Sequence, residues 1–256
     1  MRTWLSVYLL FTMAASASAQ TVQTWTVRLT HREERMHDAR VRGATELGVV
    51  RRIGRGAVGA DVSWIDEPTR SSIGVGGEIY APLWRTGEGW LRVFTAPRAW
   101  SAPDLLVAAE LTQHLAGGWQ ISGSADSREY DRGHVNAVLA GAGWSGERWF
   151  VRARAGSIFT DAETMATGNA LLRRTSADRR RYVQFIASAG GDIFDFADPM
   201  TTTPLITVQS KSAALQVLYP VGPSLDVTAG FGVTDYRHFG TRIQFEAGLT
   251  LSAGAR

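Results

Sequence analysis

No cysteine occurs among the 256 residues, so no disulfide staples the fold, and burial and backbone pairing must hold it together. Lysine is almost missing as well. Lys211 stands alone, and arginine supplies the rest of 27 basic side chains against 24 acidic ones. A formal charge of +3 spread this evenly gives neither a polybasic tail nor a basic face, so nucleic acid is not an expected partner. After the N-terminal stretch no apolar run approaches the roughly 20 residues that a membrane-crossing helix needs, which excludes helical spans.

Residues Met1 to Ala19 read as a signal peptide. Arg2 supplies the positive charge, Trp4 to Ala15 the apolar run, and Ala17-Ser18-Ala19 the small-x-small site that a signal peptidase cuts. The run is too short to span a bilayer, and the alternative, a buried N-terminal core helix, leaves the cleavage pattern unexplained. Residues 20–256 are therefore expected to be exported as one domain.

Within that domain the sequence alternates. Leu225, Val227, Ala229, Phe231 and Val233 are interleaved with Asp226, Thr228, Gly230 and Gly232, and Ile243, Phe245, Ala247, Leu249 and Leu251 with Arg242, Gln244, Glu246, Gly248 and Thr250. Strand side chains point alternately to two faces, so each segment has one apolar and one polar or small face. The same pattern runs through Trp25 to Thr30, Ala39 to Val49, Val58 to Trp64, Ile73 to Ile79, Leu105 to Leu111, Trp119 to Asp126, Val135 to Gly141, Trp149 to Ala155, Val183 to Ala189 and Ile206 to Tyr219. Leu91 to Val93 and Met165 to Leu172 are weaker segments. The reading is all-β: a transmembrane antiparallel up-and-down β-barrel of about 14 strands, with 12 as the next count. A soluble β-sandwich is the competing architecture, but a sandwich core does not take the charges that these polar faces carry.

Two further patterns favour the barrel. One set of connections is tight: Gly54 to Gly56, Arg85 to Gly89, Leu115 to Gly118, Ser145 to Arg148 and Val221 to Ser224. The other set reads as longer or more polar: Glu33 to Asp38, Asp66 to Ser71, Pro97 to Pro103, Arg128 to Gly133, Gly190 to Pro204 and Asp235 to Gly240. Short periplasmic turns and longer outer loops are the barrel habit, which places both termini in the periplasm. Aromatic residues flank both sets. Trp84, Trp90, Trp119, Trp144, Trp149, Tyr182 and Tyr219 lie by the tight turns, and Trp64, Phe94, Trp100, Tyr130, Phe159 and Tyr236 near the opposite ends. They read as two interfacial girdles.

Several short motifs carry a resemblance: Glu110-Leu-Thr-Gln-His-Leu-Ala-Gly-Gly-Trp119, Ser127-Arg-Glu-Tyr130, Trp149-Phe-Val-Arg152 and Leu215-Gln-Val-Leu-Tyr219. On these the chain resembles the YaiO-type outer-membrane proteins, best from Ala109 onward. The resemblance implies an outer-membrane barrel near envelope polysaccharide machinery, with outer-membrane lipid, lipopolysaccharide and the barrel-assembly machinery as partners. It departs from the family at the end of the chain, Leu251-Ser-Ala-Gly-Ala-Arg256, which lacks the usual terminal aromatic.

Reactive chemistry is sparse, and no catalytic, metal-binding or cofactor-binding residue is assigned. Gly54-x-Gly56-x-x-Gly59 matches a dinucleotide fingerprint but leads into an alternating strand instead of a helix, so it reads as a turn. Asp192, Asp195 and Asp198 could gather calcium, but they lack the glycine and glutamate of a known loop and read as a solvated loop. His31, His37, His134 and His238 fall near the outer rim and His114 near a tight turn. Ser127 and His134, seven residues apart across a hairpin, form a conceivable nucleophile–base pair for lipid acyl hydrolysis, with no motif to support it.

The polar faces say more. With lipid on the apolar side, the lumen receives Arg42, Glu46, Glu78, Arg92, Glu110, Arg152, Arg154, Arg242 and Glu246, along with Arg40, Asp61 and Asp226. They suggest either a charged constriction that filters solutes or internal ion pairs that fill the barrel. The expected function is a narrow or gated conduit, or an accessory barrel, for small solutes or polysaccharide in a Gram-negative outer membrane. A rim lipid-modifying enzyme and a structural or binding barrel are the alternatives.

Overall fold

In the computed structural model, residues 23–36, 41–68, 70–97, 99, 101–131, 133–194 and 206–254 are described. They form fourteen strands in chain order: β1 (Gln23–Met36), β2 (Val41–Ile53), β3 (Gly56–Glu67), β4 (Arg70–Trp84), β5 (Gly87–Thr95), β6 (Leu105–His114) and β7 (Trp119–Tyr130), followed by β8 (Gly133–Ser145), β9 (Trp149–Thr160), β10 (Thr164–Thr175), β11 (Tyr182–Phe194), β12 (Ile206–Pro220), β13 (Leu225–Tyr236) and β14 (Gly240–Gly254). Each strand pairs antiparallel with its sequence neighbours, and β14 returns to β1, closing the barrel. The seam runs through Val27 opposite Leu251, Leu29 opposite Leu249 and His31 opposite Ala247. Closure leaves no sheet edge, and a sheet surrounded by lipid cannot leave its backbone groups unpaired.

The alternation sorts the two faces as the sequence indicates. Leu47, Val62, Ile73, Leu111, Phe245 and Leu249 are exposed on the outer wall, while Arg242 and Glu246 are buried inside. A strand of 12 residues, such as β3 or β9, reaches roughly 40 Å. At a tilt near 40° it gains roughly 30 Å of height, more than an apolar band of about 25 Å. The strands therefore overshoot the band.

That overshoot explains where the sequence boundaries differ from the fold. The charged stretch from Glu33 reads as a loop, yet β1 continues to Met36, with Glu33 opposite Phe245 and Met36 opposite Arg242. Glu33 and Arg35 pair with each other at 2.5 Å, while Glu34 between them turns inward. Polar outward residues beyond the band cost little, so strand pairing continues through them. The expected contrast in connection length is correspondingly weaker. The β3–β4 link spans only residues 68–69 and the β7–β8 link only 131–132, while the link from β10 to β11 at the other end takes residues 176–181. The weak segment around Leu91 becomes the shortest strand, β5, and the one around Met165 becomes β10. At the tight β2–β3 turn, Gly54 has φ 58°, which settles the glycine motif as a hairpin turn. Met1 to Ala19, Arg40, His37, Trp100, Asp195 and Asp198 lie outside the described residues.

The aromatic girdles are thinner than the sequence suggests. Trp84, Trp119, Trp149, Tyr219, Trp64 and Phe159 do face outward. Trp90, Phe94, Tyr130, Tyr182 and Tyr236 are instead buried inside the barrel. Parity decides this: Trp90 and Phe94 share a face with the inward Arg92, and Tyr182 shares one with Gln184.

Candidate functional site: the charged interior

The inner wall carries three polar assemblies, each built from inward-facing residues of several strands. The first lies on β1 to β5. Arg92 Nη2 is 3.1 Å from Asp61 Oδ2 and 3.9 Å from Glu46 Oε2, and Arg28 Nη2 donates to Glu46 Oε1 at 3.2 Å. Trp90 Nε1 donates to Glu78 Oε2 at 3.0 Å. Inward glycines make the space. A Cβ on Gly76 would stand 2.7 Å from Asp61 Oδ2, and one on Gly74 would stand 2.4 Å from the Phe94 ring. Nearer the other end, Arg42 Nε donates to Glu34 Oε2 at 3.0 Å, and Arg242 sits 4.0 Å from the same carboxylate, with its guanidinium over the Tyr236 ring.

The second assembly crosses between strands that are not adjacent. Glu110 on β6 accepts from Arg152 Nη1 at 3.2 Å and from Arg154 Nη1 at 2.7 Å, both on β9. The inner surface between them is made of small residues: Ser122 is paired to Gly141, and Gly141 to Arg154. A Cβ on Gly141 would lie 2.6 Å from Arg154 Cγ, so the arginine stem can lie flat only over glycine.

The third runs from a guanidinium through two neutral amides to a carboxylate. Arg173 Nε donates to Gln184 Oε1 at 2.9 Å, Gln184 Nε2 to Gln216 Oε1 at 3.3 Å, and Gln216 Nε2 to Glu246 Oε1 at 3.3 Å. Tyr182 donates to the same Gln216 oxygen, and Arg173 stacks on the Tyr182 ring. Taking charges out of water costs several kcal/mol per ion unless partners and hydrogen bonds replace the solvent. These assemblies replace part of it, while Arg92 Nε and Nη1 are buried without a hydrogen bond.

Eight of the nine candidate interior charges are buried: Arg42, Glu46, Arg92, Glu110, Arg152, Arg154, Arg242 and Glu246. Glu78 is partly buried, Asp61 joins them, and Asp226 is half-buried. The structure groups Glu46 with Arg92, Glu110 with Arg152 and Arg154, and Arg42 with Arg242 through Glu34. Sequence reading did not identify Arg28, Arg32, Glu34, Arg128, Arg173, Gln184 and Gln216. Continuing the even-residue parity of β1 past Thr30 would have found Arg32 and Glu34. The Arg173-Arg174 doublet hides which of the two faces inward.

The interior also holds apolar patches. Ala96, Ala99, Ala102, Ile65, Trp90, Phe94, Leu106 and Ala108 form one cluster, so the described part of the β5–β6 connection packs inward. Ser101 N donates to Glu67 Oε1 at 2.7 Å and ties that connection to β3. On the opposite side, an interior cleft with about 510 Å³ of empty space, including what opens to solvent, is lined by residues of β8 to β12. Asp192 lies in that cleft and accepts from Ser210 Oγ at 3.3 Å. Ser127 and His134 are both exposed on the outer face. Ser127 lies opposite Asn136 and His134 opposite Glu129, two rungs apart.

No protein-family model matches the sequence, and no curated protein matches it. Solved barrels do resemble the fold. A bacterial polysaccharide outer membrane secretin aligns over 91% of this chain and 99% of its own, with 9% identity and a TM-score of 0.56. The outer membrane protein Omp33 of Acinetobacter baumannii covers 90% and 99% with 12% identity and a TM-score of 0.52. A KdgM porin in complex with disordered oligogalacturonate covers 89% and 98% with 9% identity and a TM-score of 0.50. At such identities the likeness is one of fold: a 14-strand outer-membrane porin-like barrel.

Proposed function

We propose that this chain sits in a Gram-negative outer membrane and forms a narrow or gated conduit for small solutes or polysaccharide. One observation carries the reading: the wall is apolar outside, and inside it presents arginine and carboxylate side chains in contact across strands, Arg154 with Glu110 and Arg92 with Asp61. A barrel that served only as a sealed anchor would be simpler to fill with apolar side chains, since replacing buried ion pairs by them is often neutral or stabilising. The similar folds are porins and passage barrels, one bearing oligogalacturonate and one named for polysaccharide, which fits cargo of that kind. The inward β5–β6 connection narrows the lumen, which suits a restricted path better than a wide diffusion pore.

The test is electrical. Purified protein in planar bilayers should give discrete conductance steps, and liposomes that carry it should swell in small sugars. Neither conductance nor swelling would leave the structural or binding barrel as the better reading. A rim hydrolase has less support: Ser127 and His134 are diagonal neighbours on the outer face, and no hydrogen bond joins their side chains. Signal cleavage after Ala19, both termini in the periplasm, and contact with lipopolysaccharide and the assembly machinery belong to the same proposal. The YaiO-type kinship rests on the short motifs alone. N-terminal sequencing of the membrane-inserted form should begin at Gln20.

A further inference from the structure

We propose that the inner wall of β8 to β12 is a binding subsite for one acidic sugar unit, with Arg154 receiving its carboxylate; this rests on the conduit reading. The charge distribution makes the first case. The inward positions of β1 to β4 bring Glu34, Glu46, Asp61, Glu67 and Glu78 among their arginines. The inward positions of β8, β9 and β10 hold Arg152, Arg154 and Arg173 and no acidic residue at all among the described residues. Glu110 has to reach over from β6 to meet two of those arginines. The arginine wall therefore takes its counter-charge from elsewhere in the lumen, and a mobile anion can compete for that role.

The cleft makes the second case. Leu139, Ile158 and Ile186 form an apolar floor, and Asn169, Ser188, Ser210 and Asp192 offer amide, hydroxyl and carboxylate groups around it. A sugar ring needs both kinds of surface: its C–H face packs on aliphatic carbon, and its hydroxyls exchange water for polar side chains. Asn169 joins the two halves of the site, because Arg154 Nε donates to Asn169 Oδ1 at 3.5 Å. A sugar over the floor would therefore place a ring carboxylate beside the Arg154 guanidinium, whose planar fork matches a carboxylate. Neutral sugars would gain only the floor and the hydroxyl contacts.

Glu110 turns this into a sharp test, because it is the competing carboxylate. Wild-type protein, Glu110→Gln and Arg154→Gln would be titrated in detergent with a uronic-acid oligosaccharide and with a neutral glucose oligosaccharide of equal length. All three would first be checked for heat-modifiable gel migration, which reports a folded barrel. The wild type should prefer the acidic oligosaccharide. Arg154→Gln should weaken its binding by about tenfold, in line with loss of a charged hydrogen bond, and Glu110→Gln should strengthen it. The preference should shrink in high salt. Equal binding of acidic and neutral oligosaccharides, or weaker binding in Glu110→Gln, would overturn the subsite. If Arg154→Gln fails to fold, Asn169→Ala gives the second reading and must also lower acidic binding. Conductance is read separately. A conducting barrel with no acidic preference sinks the subsite alone, and a barrel that binds but never conducts sinks the conduit alone.

Discussion

Arg92 on β5 reaches across the inner face of β4 to meet Asp61 on β3 at 3.1 Å, and it does so over Gly76. In that register Gly76 faces Asp61 on one side and Phe94 on the other. A hydrogen in place of a side chain at that position lets an arginine and an aspartate from non-adjacent strands meet.

The first prediction follows from that geometry. Gly76→Val would put carbon where the Asp61 carboxylate now lies, since even a Cβ would sit 2.7 Å from Oδ2. The pair would be forced apart inside the barrel, and splitting a buried pair costs roughly 3–5 kcal/mol. The folded band on heat-modifiability gels should disappear at a clearly lower temperature than in the wild type. An unchanged transition would mean that the Asp61–Arg92 contact adds nothing to stability.

A second prediction separates the two faces. Leu47 points outward midway along β2, opposite Leu29 and Val62 and exposed on the lipid side. Leu47→Arg should cost about 2–4 kcal/mol in urea unfolding from vesicles, as expected of a charge near the bilayer midplane. Arg in place of the inward Gly48 would meet Asp61 and Arg28 instead of lipid, so its cost would be steric and charge-dependent. Equal tolerance of Arg at Leu47 and in the turn at Arg55 would contradict a lipid-facing wall.

Strand parity accounts for how much of this was legible. The closing pair, Leu225 to Val233 and Arg242 to Leu251, alternates without interruption, so strand, faces and seam all follow from sequence. Trp90 and Tyr182 are different. Large aromatics occur both in interfacial belts and in barrel interiors, and only the inward parity of Arg92 and Gln184 separates the two uses. The inward β5–β6 connection was not legible at all. Its alanines, Ser101 and Pro103 look like any surface loop, and what draws it in is Glu67, 34 residues before Ser101 and on another strand. The second cluster had the same difficulty, because Glu110 and Arg154 are 44 residues apart and meet only once the barrel closes.

The β10–β11 turn carries a pH prediction. The exposed Asp178 carboxylate accepts from Ser176 Oγ and from Arg180 N at 3.1 Å, and these bonds hold it below the usual aspartate range. A depressed folded value means that the turn is supported at neutral pH and loses support only as pH falls through that depressed value. Trypsin cleavage near Arg179 to Arg181, measured after brief acid exposure and return to neutral pH, should therefore match the untreated protein. Asp178→Ala should be cut faster at neutral pH. Equal cutting of the two proteins would show that the carboxylate does not order the turn.

The last prediction concerns the seam. Removing everything after Gly248 deletes the β14 residues that face Val27, Arg28 and Leu29 on one side and Leu225, Asp226 and Val227 on the other. Both strands would then present unpaired backbone groups to lipid at the tight-turn end, each costing several kcal/mol. Phe245 would remain, still pointing outward, so the truncation separates an aromatic handle from the act of closure. The truncated chain should accumulate outside the membrane fraction and lose heat-modifiable migration. Normal insertion would mean that β14 closes the barrel with its first nine residues alone. The stretch Leu249 to Gly254 would then be dispensable, although Leu249 to Leu251 are paired on both flanks.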